Sequence, residues 1–89
     1  MNHLTNENDL TNIIATDTAL YFYSSKDTLL TAMMIPIIEN LNKTKDVLCI
    51  DLAAFNNLYK RFDIKEMPTI LIMSGGQELK RIIGIPTEI

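Results

Sequence analysis

The stretch Arg61-Phe62-Asp63-Ile64-Lys65-Glu66-Met67-Pro68-Thr69-Ile70-Leu71-Ile72-Met73, followed by Gly75-Gly76, decides how the rest of the chain is read. Ile70-Leu71-Ile72-Met73 is an apolar run of strand length. Gly75-Gly76 marks a two-residue hairpin turn, because the favoured turns need positive φ and glycine adopts it freely. Leu79-Lys80-Arg81-Ile82-Ile83 is then the returning antiparallel strand, ended by Gly84. On the other side, Asp63-Ile64-Lys65-Glu66 is a connection, and Pro68 stands where prolines commonly open a strand.

Further upstream the pattern alternates between helix and strand. A helix over roughly 53–62 carries Phe55, Leu58, Tyr59 and Phe62. Val47-Leu48-Cys49-Ile50 is short and wholly apolar, as a strand buried on both faces should be. Leu29, Leu30, Met33, Met34, Ile37, Ile38 and Leu41 recur at three- and four-residue steps, which predicts a helix over roughly 28–42 with a wide apolar face. Asp27 or Thr28 can cap it, and Pro36 inside it should bend it. Ala19-Leu20-Tyr21-Phe22-Tyr23 is another buried strand, and Leu10, Ile13 and Ile14 define a helix over roughly 6–15 with Thr5 as cap. The order is α-β-α-β-α-β-β. It describes a single α/β domain spanning 1–89, with a mixed four-stranded sheet and helices on both faces. The first two strands, joined by a helix, should be parallel with a right-handed connection.

Composition narrows the function classes. At 89 residues the chain suits one domain, which buries only about 60–65% of its unfolded surface. Net charge is −3 with no basic cluster, the nearest thing being Lys60-Arg61 beside Lys65, so no nucleic-acid partner is expected. The polar beginning, from Met1 to Asp9, lacks a signal-peptide core, and the longest apolar run, 32–38, is far short of a membrane span. One cysteine, Cys49, excludes a disulfide framework. A cytoplasmic protein without a membrane partner is the expectation.

This order and these residues resemble the thioredoxin superfamily. Members of that family carry a tyrosine or phenylalanine followed two residues on by valine or isoleucine, as Phe62 and Ile64 do here. A hydrophobic-Pro-Thr triplet, matched by Met67-Pro68-Thr69, opens the next strand. A glycine turn follows, and a further glycine stands eight residues later, as Gly76 and Gly84 do. Leu20-Tyr21-Phe22-Tyr23 matches the central strand. Met33-Met34-Ile35-Pro36-Ile37-Ile38 matches the helix after the active site, proline included. The resemblance covers about 5–84 and implies a thioredoxin-like fold in which Pro68 is cis and adjoins the active site. It also implies that an initial edge strand and a C-terminal covering helix are missing. The hairpin residues Ile70, Ile72, Ile82 and Ile85 would then leave an apolar patch, fit for a homodimer or another partner, unless 85–89 folds back over it.

The departures from the family are larger than the match. Its CxxC falls on 28–31 counting from Pro36, or on 27–30 counting from Phe22-Tyr23, and neither holds a thiol. The tryptophan before that motif is absent, and the central-strand acid is replaced by apolar or aromatic residues. Framework without apparatus implies a non-catalytic binding or assembly module for a protein or peptide. Its binding residues would be Thr28, Thr31, Met67, Pro68 and Thr69, at the groove between a helix start and the proline turn, with no cofactor. The alternative is a redox or thiol-linked enzyme acting through Cys49, or through a hydroxyl-based site of the glutathione-transferase type at Thr28 and Thr31. Against it, Thr28 reads better as a helix cap, Thr31 as a solvent-facing helix residue, and Cys49, between Leu48 and Ile50, as a small core residue. His3 is the only histidine, so a transition-metal site is not expected.

Overall fold

The computed structural model describes residues 1–87. Five strands form one sheet: β1 (Asn2–His3), β2 (Thr18–Tyr23), β3 (Asp46–Asp51), β4 (Thr69–Ser74) and β5 (Gln77–Ile83). Their spatial order is β1-β3-β2-β4-β5. β1 and β2 flank β3 in parallel, while β4 pairs antiparallel with β2 and β5 antiparallel with β4. Three α-helices accompany the sheet: α1 (Leu10–Ile14, after a 3-10 turn at Glu7–Asp9), α2 (Thr28–Leu41) and α3 (Leu58–Arg61).

The fifth strand corrects the expected count of four and the expected loss of an initial edge strand. Asn2 and His3 pair with Leu48 and Cys49, and the Leu4 N–H extends the ladder to the Cys49 carbonyl at 2.9 Å. Two polar residues have no apolar alternation to betray a strand. Backbone pairing alone makes this one.

Side-chain alternation along the strands splits the core in two. Leu20, Phe22, Leu48, Ile50, Leu71 and Met73 point to one face, where they pack with Leu10, Leu58 and Ile64. Ala19, Tyr21, Val47, Cys49 and Ile70 point to the other, under Met34, Ile38 and Leu41 of α2. One long helix therefore covers one face, and α1 and α3 share the other. Each fully buried Leu, Ile or Phe contributes about 1.5–3 kcal/mol of burial.

α3 is shorter than the expected 53–62. The Asp51 carbonyl draws the N–H groups of Ala54 and Phe55 into a turn, both at 3.0 Å, and Asn56-Asn57 are weak helix formers, so the helix begins only at Leu58. Asn6, not Thr5, caps the first helical turn, its side chain accepting from the Asn8 N–H at 3.0 Å. Gly75 and Gly76 have φ of 58° and 81°, the two left-handed positions of a tight hairpin. The Gly76 N–H donates to the Ile14 carbonyl at 2.9 Å, tying the turn to the end of α1.

The patch expected on the hairpin also changes. Ile70 is fully buried, and Ile72 and Ile82 pack against the α2 cluster. Of the four expected residues only Ile85 is exposed, and it is joined by Leu79 (65%) and Ile83 (57%). The register explains this: Ile70 lies opposite Ile82, on the face that α2 protects. Among the described residues no helix follows β5; positions 88 and 89, part of the segment considered for folding back, lie outside the described residues.

Candidate functional site

The parallel strands β2 and β3 end together at Tyr23 and Asp51, and the loop 24–27 leads from there into α2. Three side chains shape this loop. The Asp51 Oδ1 accepts from the Ser25 N–H and the Ala53 N–H, both at 3.0 Å. Asp27 caps α2, its Oδ1 accepting from the Leu30 N–H at 3.0 Å. The Thr31 hydroxyl reaches back to the Ser24 carbonyl at 3.2 Å. Burial pushes the Asp51 carboxyl up, but hydrogen bonds from Ser25 and Ala53 and the Lys26 charge outweigh it, leaving the group below its ordinary value.

The other wall is the turn before β4. Thr69 lies opposite Phe22 of β2, so Met67 and Pro68 sit at the same end of the sheet as the loop into α2. The Met67–Pro68 peptide is cis, and the Pro68 carbonyl accepts from the Gly84 N–H at 2.9 Å. The sheet thus brings together groups that lie far apart along the chain.

Their availability differs. Thr28 is exposed and does not cap the helix, since Asp27 does. Thr31 is half-buried with its hydroxyl committed to Ser24. Thr69 is buried, its hydroxyl donating to the Glu66 carbonyl at 2.7 Å, so its side chain holds the turn. Pro68 is buried, while Met67 is half-buried and packs against the core beneath α1 and α3. The residues that project most belong to the apolar face of α2 and lie outside the expected site: Leu29 at 72% and Met33 at 49% exposure. The apolar positions of this 14-residue helix exceed what one sheet face covers, and that excess was the available signal.

No family model and no curated protein matches the chain in sequence. Solved structures do match in fold. A mutant thioredoxin from Halobacterium salinarum NRC-1 is 18% identical, with 96% of this chain and 78% of that one covered at a TM-score of 0.82. Mitochondrial thioredoxin 3 from Saccharomyces cerevisiae, in its oxidized form, is 25% identical, with 94% and 83% covered at 0.82. Plasmodium falciparum thioredoxin is 17% identical, with 94% and 86% covered at 0.83. The chain has a thioredoxin-like fold. In this thioredoxin-like chain both stretches set opposite the CxxC motif, 27–30 and 28–31, lie at the start of α2 and contain no cysteine. Cys49 is elsewhere, in β3 opposite Tyr21, buried on the α2 face. Burial pushes its thiol up, against a smaller downward pull from the chain's amino terminus. A buried thiol held neutral is a poor nucleophile. Among the described residues no cluster of three or more His, Cys, Asp or Glu could hold a metal, and no helix is long and apolar enough to cross a membrane.

Proposed function

We propose that this chain is a non-catalytic thioredoxin-like module that binds an extended peptide or a partner protein in the groove between the start of α2 and the Met67-Pro68-Thr69 turn. One observation carries the reading: where the resemblance sets a dithiol, the helix start holds exposed Leu29 and no thiol, with exposed Met33 one turn further on. Large apolar side chains beside a groove fit the recognition of apolar peptide side chains, and methionine adapts to varied partners. Thr28 contributes an exposed hydroxyl at the rim, Thr31 and Thr69 hold the two walls, and Met67 with Pro68 forms the wall opposite the helix start. The free, buried Cys49 accords with a reducing compartment, and the same reading places the protein in the cytoplasm.

Two measurements test this. In an insulin-reduction assay with dithiothreitol, the protein should give no turnover above the blank; turnover above it overturns the non-catalytic assignment. Peptides selected from a display library on the wild-type protein should bind at least tenfold more weakly to Leu29→Glu and Met33→Glu, both exposed positions where the fold survives substitution. Selected peptides that ignore both substitutions would rule out the groove.

A further inference from the structure

A cavity of about 320 Å3 lies between α2 and the strands β2 and β3, apart from the proline turn. Tyr21 and Tyr23 of β2, Cys49 of β3, and Ile35, Ile38 and Glu39 of α2 line it, and Thr31 of the neighbouring groove borders it. Its size falls at the lower end of small-molecule sites, which run from about 300 to 1,000 Å3. The rings of Tyr21 and Tyr23 stack with centroids 5.2 Å apart at 17°, making a flat aromatic wall. The Tyr21 side chain is the anomaly. The residue is only 5% exposed, and its hydroxyl oxygen is buried with no hydrogen-bond partner. Folded proteins leave few such groups, because the hydroxyl loses its hydration and regains nothing.

We infer that this cavity binds a small, neutral aromatic molecule carrying one hydrogen-bond-accepting oxygen, to which the Tyr21 hydroxyl donates. The aromatic wall and the facing Ile35 and Ile38 favour a flat apolar body. An anion is disfavoured twice, by Glu39 in the wall and by the loss of its hydration among apolar side chains. Met1 and His3 also line the cavity, and an anionic analogue tests whether they offset this. Burial, the nearby Cys49 and Tyr23 push the Tyr21 phenol up to about 12, so at neutral pH it keeps its proton and can donate it. Cys49, buried and neutral, adds an apolar contact and no charge.

The test uses propiophenone, with propylbenzene as the analogue lacking the oxygen and 3-phenylpropanoate as the anionic one. Titrations followed by amide NMR should give saturable shifts centred on Tyr21, Tyr23, Cys49 and 35–39. Propiophenone should bind at least tenfold more tightly than either analogue. Tyr21→Phe, which keeps the ring and removes only the unpartnered hydroxyl, should fold normally and bring propiophenone to the level of propylbenzene. Ile35→Trp, at a half-exposed position on the rim, should block all three. Absence of saturable shifts, undiminished binding to Tyr21→Phe, equal binding of the anion, or shifts centred on Thr28 and Met67 would each overturn the assignment.

Discussion

Asp63 and Asp51 show how single carboxylates shape this small domain. Asp63 has φ of 53°, the left-handed conformation that ends many helices and usually falls to glycine. Its N–H bonds the Lys60 carbonyl, and its own carbonyl accepts from Arg81 at 2.8 Å. Aspartate tolerates this conformation better than most side chains, and a β-branched one tolerates it badly. Asp63→Val should lose about 1–2 kcal/mol, while Asp63→Gly should stay within about 0.5 kcal/mol of wild type, since relief of strain offsets the added chain entropy. Urea unfolding measures both. Asp51 has a different signature. Its folded-state value is lowered, so its contribution is present above the ordinary aspartate range and fades as pH falls through the folded-state value. Stability should therefore decline below about pH 4, and Asp51→Asn should flatten that decline. Glu78, lowered mainly by its hydrogen bonds from Arg81, titrates in the same window and accounts for slope that remains. Urea midpoints from about pH 6 to about pH 2.5 read the difference; identical slopes in the two proteins would refute the role given to Asp51.

Among the elements, α2 carries one face of the sheet unaided. Met34 and Ile38 are fully buried beneath it, whereas Leu29 on the same helix is mostly exposed. Ile38→Ala should therefore cost about 2–5 kcal/mol, a large part of the roughly 5–15 kcal/mol typical of a domain, while Leu29→Ala should cost less than about 0.5 kcal/mol. Equilibrium unfolding of the two variants decides whether the helix divides into a structural and a presenting face. Arg81 does comparable work from the edge of the sheet. It pairs with Glu78 through two hydrogen bonds at 2.8 and 2.9 Å and donates to the carbonyls of Phe62 and Asp63, both at 2.8 Å. β5 is thereby fastened to the end of α3 as well as to β4. The long elements were legible in the sequence: α2 over 28–42 matches Thr28–Leu41, and the glycine pair marks the β4–β5 turn. Two short features were not: β1 is made by backbone pairing with the distant β3, and the turn before α3 hangs on the Asp51 carbonyl capturing the N–H groups of Ala54 and Phe55, which no apolar periodicity records.

For the molecule as a whole, the exposed apolar residues lie in two main places, the start of α2 and the outer hairpin. The homodimer expected from the hairpin would use Leu79, Ile83 and Ile85 at the second. Glu78, Lys80 and Arg81 on the same strand discourage edge-to-edge pairing of sheets, which favours packing through side chains. Sedimentation should show reversible dimerisation that Ile83→Lys abolishes. A monomer at all accessible concentrations would remove the hairpin from the list of interfaces and leave the α2 groove untouched.

The class of fold, the order of most elements and the absence of paired thiols can all be read from the chain of letters, because they follow from local periodicity, turn chemistry and a residue count. The groups that meet near the proline turn were also named at that level, through a resemblance. Which of them are free to act is a property of the folded molecule. Thr31 and Thr69 spend their hydroxyls on the backbone, Leu29 and Met33 project, and Tyr21 is sealed in without a partner. Burial and hydrogen bonding are set by residues far away along the chain, and no local pattern records them.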